Sequence, residues 1–210
     1  MINPPPNAPV EAISDKARAA SLEKTMAERP AGEPMRVFAY GSLLWDPCFD
    51  FTSKRPARLP GWVRRTCLWT VHARGSLKCP GLFYGLDAEP GAACDGAVFE
   101  LSERSLDEGL GRLWQREMHA AVYEPRWVDL EIGDSRTRAL TFVVNRNHPQ
   151  YTGPIDIEAA ARYISVASGK FGTCVEYYTE TRASLHAEGF VDPEIEALLT
   201  RVRALTANPA

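Results

Sequence analysis

The sequence predicts an α+β fold: a single domain in which helices surround a mixed, mainly antiparallel, barrel-like sheet. Three observations carry this. Segments rich in Val, Phe, Tyr and Trp crowd the chain between Met35 and Trp127. Helical spacing dominates the last third, so strands and helices do not alternate as βαβ units would. Two long apolar-rich runs meet across Gly133-Asp134-Ser135, which marks an antiparallel hairpin.

Taken in order, residues 1–34 stand apart. Pro4-Pro5-Pro6 and Pro30-Ala31-Gly32-Glu33-Pro34 bracket a weak helical pattern of Ile13, Ala17, Ala20, Leu22 and Met26. This reads as an N-terminal tail, partly helical or disordered, draped over a domain of residues 35–205. RVFAY (36–40) is the first strand and GWVRRTCLWTVHA (61–73) carries a second. GLFYGLD (81–87) and GAVFEL (96–101) are two more, separated by the turn material AEPGAACD. Ser102 is the expected N-cap of a helix over 103–119. AVYEPRWVDLEI and RALTFVVNR form the hairpin, and three helices follow within 155–168, 174–189 and 192–205. Gly169 and Gly189 sit where helix C-terminal glycines belong, and Asp192-Pro193 is an N-cap and first-turn pair.

Composition excludes several classes of function. Hydrophobic content of 45% and charged content of 24% are ordinary for a soluble domain. A net charge of −3 gives no reason to expect nucleic acid or an anionic membrane as partner. No apolar run approaches the roughly 20 residues of a membrane span. The N-terminus lacks the basic-then-apolar pattern of a signal peptide, so the expected location is cytoplasmic. The five cysteines include no C-x-x-C pair and the four histidines no H-x-x-x-H pair. Neither a disulfide framework nor a metal site is expected.

Two places carry chemistry. On a helical wheel started at Leu106, Glu117 falls about 20° away, inside the stripe of Leu110, Leu113 and Trp114, while Arg112 and Arg116 fall on the far side. A carboxylate on a buried face is costly unless paired or functional. One reading pairs Glu117 at the helix end with an arginine such as Arg126. The other makes it a desolvated carboxyl with a raised pKa, as a general base near neutrality requires. The second place is VFAYGSLLWDP (37–47), where a buried strand turns at Gly41-Ser42 straight back into apolar residues. Without a Cβ at Gly41, successive N–H groups can converge to cradle a carboxylate or a developing oxyanion.

Tyr40-Gly41-Ser42-Leu43 after a strand, followed by Trp45 and Pro47, resembles the opening signature of the ChaC-like γ-glutamylcyclotransferases. PGLFYGLD, CDGAVFEL, LWQREM with VYEPRWV, NHPQYTG and GKFGTCVEYY resemble the family's later motifs in order, over roughly residues 35–200. The resemblance implies a small barrel-like sheet ringed by helices. It implies that glutathione, a small-molecule substrate, is cleaved to 5-oxoproline and Cys-Gly, with no metal or organic cofactor. Glu117 is then the catalytic acid/base, and Phe38, Ala39, Tyr40, Gly41, Ser42, Leu43, Arg74 and Tyr151 are expected at the substrate. Glu176 and Tyr177 lie in a motif of the same region. The alternatives are a cyclotransferase for another γ-glutamyl amine and a non-catalytic γ-glutamyl-binding regulator. Two departures bear on specificity. Ala73 stands where the family often has histidine, with His72 one place earlier. His119-Ala120-Ala121 replaces a glycine-containing turn, although alanine adopts positive φ less readily. Cys174 reads as a packed thiol.

Overall fold

Four residues, Arg36–Ala39, form β1, and Val37, Phe38 and Ala39 are all buried. The computed structural model describes residues 2–207. Around β1 lie β2 (Phe51–Thr70), β3 (Gly81–Leu101), β4 (Tyr123–Ile132) and β5 (Ser135–Val144). They close into a barrel in the order β1-β3-β2-β4-β5. β1 runs antiparallel to β3, with Ala39 opposite Ala97, and parallel to β5, with Val37 opposite Leu140. The sheet is therefore mixed and mainly antiparallel, and the class is α+β. β4 and β5 pair from Tyr123–Val144 to Ile132–Ser135 across a two-residue loop, where Gly133 takes φ 55°.

The long strands depart from the expected boundaries. β2 starts at Phe51, ten residues before the expected Gly61, and stops at Thr70. β3 continues through the segment read as a turn. Strand composition marks only the buried part of each ribbon. The polar or Pro-containing parts are mostly exposed and are held by main-chain pairing. Gly61 (φ 80°) and Gly91 (φ 86°), each after a proline, absorb local bends that alanine could not.

The described residues divide into two compact units. One comprises Glu11–Arg64 and Leu86–Asn145. Its α2 (Leu106–Glu117) follows a 3₁₀ turn, Glu103–Ser105, and neither Ser102 nor Ser105 makes a side-chain cap. The expected Ser102 side-chain cap is not formed; Ser105 donates its hydroxyl to Asp50 Oδ2 at 2.8 Å instead. α2 ends at Glu117 rather than at residue 119. Leu110, Leu113 and Trp114 are buried, and Trp114 meets Phe142 of β5 edge-on at 5.4 Å. α1 (Asp15–Ala27) has little apolar periodicity but a sound N-cap, Ser14 accepting from the Ala17 N–H at 3.2 Å. Indole N–H groups hold it: Trp114 donates to Ser21 Oγ (3.3 Å) and Trp127 to the Thr25 carbonyl (2.9 Å).

The other unit comprises residues 2–10, Arg65–Gly85 and residues 146–207. Here α3 (Ile157–Val166), α4 (Cys174–Ala187) and α5 (Pro193–Ala207) bury Ala160, Ala161, Ile164, Leu185, Leu198 and Val202. Asp156 and Thr173 cap α3 and α4, and Asp192 accepts from the Glu194 and Ile195 N–H groups at the start of α5. Gly189 (φ 84°) terminates α4 as expected. Gly169 does not end α3. It lies in β6 (Ser168–Gly169), paired with β7 (Gly172–Thr173). A Cβ on Gly169 would fall 2.5 Å from the His72 carbonyl and 2.6 Å from the Gly75 nitrogen, so close main-chain approach requires glycine there. Asn3 bonds the Tyr151 and Thr152 carbonyls and accepts from the Trp69 indole. Residues before 35 therefore contribute to both units. Among the described residues no helix is long and apolar enough to cross a membrane.

Deleting residues 2–34 removes the acceptors of the Trp69, Trp114 and Trp127 indoles. At about 1 kcal/mol per hydrogen bond the melting temperature falls by about 6–12 °C. Differential scanning calorimetry and a red shift of tryptophan emission check this.

Candidate active site

The turn after β1 is built from both its neighbours. Tyr40 donates its hydroxyl to the Phe142 carbonyl at 2.8 Å. Buried Arg64 donates Nε to the Tyr40 carbonyl at 2.6 Å and Nη2 to the Asp95 carbonyl. The chain turns at Gly41 (φ −132°, ψ −133°) into the 3₁₀ turn Ser42–Leu44, closed by Leu44 N–H to the Gly41 carbonyl at 2.9 Å. Leu43 and Leu44 are buried, so the apolar residues fold back into the core. The Ser42 and Leu43 N–H groups precede the turn's own hydrogen bonds, as the first donors of any helix do.

This loop is tied to α2. Arg112 donates Nε to the Cys48 carbonyl at 2.7 Å. Arg116 donates to the Asp46 carbonyl at 2.6 Å and to Asp46 Oδ2 at 2.9 Å. The two arginines read as an outward charged face are clamps. Their spacing of four residues near the helix end was the available signal, but the loop acceptors lie some 60–70 positions away in sequence.

Glu117 closes α2 with a side chain only 12% exposed. Its neighbouring cation is Arg116, with Nε 3.5 Å from Oε1. Burial pushes the Glu117 carboxyl above the ordinary carboxylate range, and Arg116 only partly offsets this. Arg126 is not its partner: that side chain pairs with Glu124 at 4.0 Å and lies over Trp62 at 5.7 Å. A desolvated carboxyl of this kind keeps its proton to higher pH than an exposed one. Burial also pushes the Cys48 thiol up, with Arg116 opposing and Glu117 adding to the rise. Cys174 is fully buried, donates to the Leu82 carbonyl at 3.1 Å and is pushed up to about 12, as a packed thiol. Neither thiol is poised as a nucleophile.

The remaining expected residues lie in the other unit. Arg74 Nη1 is 3.3 Å from both Glu176 Oε2 and the Thr173 carbonyl. Glu176 itself completes the capping box of α4. Tyr151 pairs with Leu68 through an isolated β-bridge, and Tyr177 packs against the Phe83 and Tyr84 rings at a tilt and meets Tyr178 edge-on. Phe38 and Ala39 are buried strand residues, and Phe38 accepts from Thr141 Oγ1 at 3.0 Å. Phe38, Ala39, Tyr40, Gly41, Ser42, Leu43 and Glu117 thus share one unit, and Arg74 and Tyr151 belong to the other. Among the described residues no group of His, Cys, Asp and Glu is arranged to hold a metal ion.

The raised Glu117 pKa has a definite sign for stability. Between the ordinary carboxylate pKa and the folded value, the native state binds more protons than the unfolded state, so stability falls as pH rises. Glu117→Gln removes that penalty. The variant should melt above wild type near pH 7, and the gap should close as pH falls to about 4. Thermal melts across this range check the sign.

The ChaC-like protein family profile matches residues 35–205. A protein of Escherichia coli (strain K12) named glutathione-specific γ-glutamylcyclotransferase is 36% identical over 196 residues, covering 93% of this chain and 84% of that protein. The glutathione-specific γ-glutamylcyclotransferase 1 of Danio rerio is 30% identical over 144 residues, covering 67% and 74%. A crystal structure of a γ-glutamylcyclotransferase specific to glutathione from yeast superimposes with a TM-score of 0.75, covering 82% of this chain and 97% of that one. At 18% identity that likeness shows the fold alone. With a family match over most of its length, the chain belongs to the ChaC-like protein family.

Proposed function

We propose that this protein is a glutathione-specific γ-glutamylcyclotransferase that releases 5-oxoproline and Cys-Gly. The observation that carries this is the desolvated carboxyl of Glu117 at the end of α2, a helix whose Arg116 bonds Asp46 in the loop that follows β1. Its relatives' names support the substrate. Glu117 as carboxylate takes a proton from the substrate α-ammonium. The freed amine attacks the γ-carbonyl carbon, and a five-membered ring closes. Glu117 returns its proton to the departing Cys-Gly nitrogen as the amide bond breaks. The nucleophile is the substrate's own amine, so no Ser or Cys is required. The step involves no redox change and uses neither metal nor organic cofactor.

In this reading, the main chain at Gly41, Ser42 and Leu43 holds the substrate α-carboxylate or the developing oxyanion. Phe38, Ala39 and Tyr40 form its floor. The roles of Arg74 and Tyr151 rest on motif position alone. Holding amine and carbonyl together supplies roughly 7–11 kcal/mol of the barrier reduction. Residues 35–205 carry the catalysis, and residues 1–34 support it. Five free cysteines fit a reducing, cytoplasmic setting.

The test is to incubate the purified protein with glutathione, or in parallel with γ-glutamyl-alanine, and follow 5-oxoproline and Cys-Gly by mass spectrometry. Both products from glutathione with little turnover of γ-glutamyl-alanine are expected. Turnover of γ-glutamyl-alanine alone moves the enzyme to another γ-glutamyl amine. Binding of glutathione without product, measured by calorimetry, makes it a regulator. Glu117→Gln should lose about 10²–10⁴-fold in kcat while folding and binding persist; retained turnover removes Glu117 from its role. Gly41→Ala should raise KM about tenfold, the loss of one charge-assisted hydrogen bond. An unchanged KM would show that the turn is not the substrate floor.

A further inference from the structure

We infer that Asn145 is a positioning residue for Glu117, acting through the short connection between α2 and β4; this rests on the catalytic reading of Glu117. α2 ends at Glu117, and β4 begins at Tyr123. The chain must reverse between them. It does so through Ala121 at φ 52°, the non-glycine residue with positive φ among those described. There the alanine Cβ crowds its own main chain. Such strain persists only where the surroundings over-determine the conformation.

The surroundings are three pinned carbonyls. The Ile13 N–H donates to the His119 carbonyl at 2.9 Å. Asn145 supplies the other two: its side-chain Nδ2 donates to the Ala121 carbonyl at 3.3 Å, and its main-chain N–H to the Val122 carbonyl at 3.0 Å. Tyr123 pairs with Val144, so Asn145 stands opposite Val122, one step beyond the hairpin ladder. The hairpin therefore fixes where the Asn145 amide must be. Met118, buried between Glu117 and the turn, donates its N–H to the Trp114 carbonyl and couples the turn to the last coil of α2. Without the Asn145 amide, Ala121 relaxes toward negative φ. The connection rotates, and the Glu117 carboxyl at its start moves with it. A glycine at 121 would adopt φ 52° without Cβ strain, so it is alanine that makes the clamp necessary.

The experiment measures kcat and KM for glutathione in Asn145→Ala, in Asn145→Ala/Ala121→Gly and in Glu117→Gln, with melting temperatures and glutathione binding alongside. A displacement of about 1 Å costs on the order of 100-fold. The expected result is a kcat lowered about 10–100-fold in Asn145→Ala with KM within about twofold of wild type. Most of kcat returns in the double variant. Full kcat in Asn145→Ala, or a double variant no better than the single, overturns the positioning role. If Asn145→Ala fails to fold, Asn145→Asp, of equal size but without the amide donor, must show the same loss of kcat; full activity there overturns it. An inactive Glu117→Gln beside a fully active Asn145→Ala removes only the role of Asn145. An active Glu117→Gln removes the reading of Glu117 on which it rests.

Discussion

A carboxyl group withdrawn from water is the constraint around which the unit carrying α2 is arranged. Glu117 lies on the apolar side of α2, so packing that helix on the barrel also desolvates the carboxyl. Arg116 is near enough to soften the cost but not to cancel it. Arg116 also spends donors on Asp46, which spreads its charge over the loop after β1. A fully paired carboxylate would have a lowered pKa. The incomplete pairing leaves the Glu117 shift upward.

Keeping that group in place requires support from several directions. Trp114 packs on Phe142, and its indole N–H bonds α1. Arg112 and Arg116 join the end of α2 to the loop carrying Gly41, Ser42 and Leu43. Tyr40 and Arg64 fix the start of that loop through the Phe142 and Tyr40 carbonyls. The proposed reaction depends on such fixed geometry, because in it the substrate would supply its own nucleophile and the protein position and a proton.

The rest of the chain shows where local reading reaches its limit. Helix caps at Asp192 and the Gly189 terminus were legible, since each involves neighbours within a turn. Gly169 looks locally like a helix terminus because the main chain that crowds it, at His72 and Gly75, is distant in sequence. β3 was divided in two because its exposed middle carries turn residues, while its strand conformation comes from pairing with β2. α1 looked weak because indole donors on distant tryptophans hold it, rather than an apolar stripe of its own.

The sequence by itself determined the α+β class, the hairpin, most helices, the family and the unusual place of Glu117 on an apolar stripe. These follow from residue spacing and local backbone chemistry, which a linear chain records directly. Tertiary structure alone decided which arginine stands beside Glu117, that Arg112 and Arg116 are clamps, and that Asn145 braces Ala121. Those facts are pairings between residues far apart in the chain, and the folded geometry selects each partner from many chemically equivalent ones.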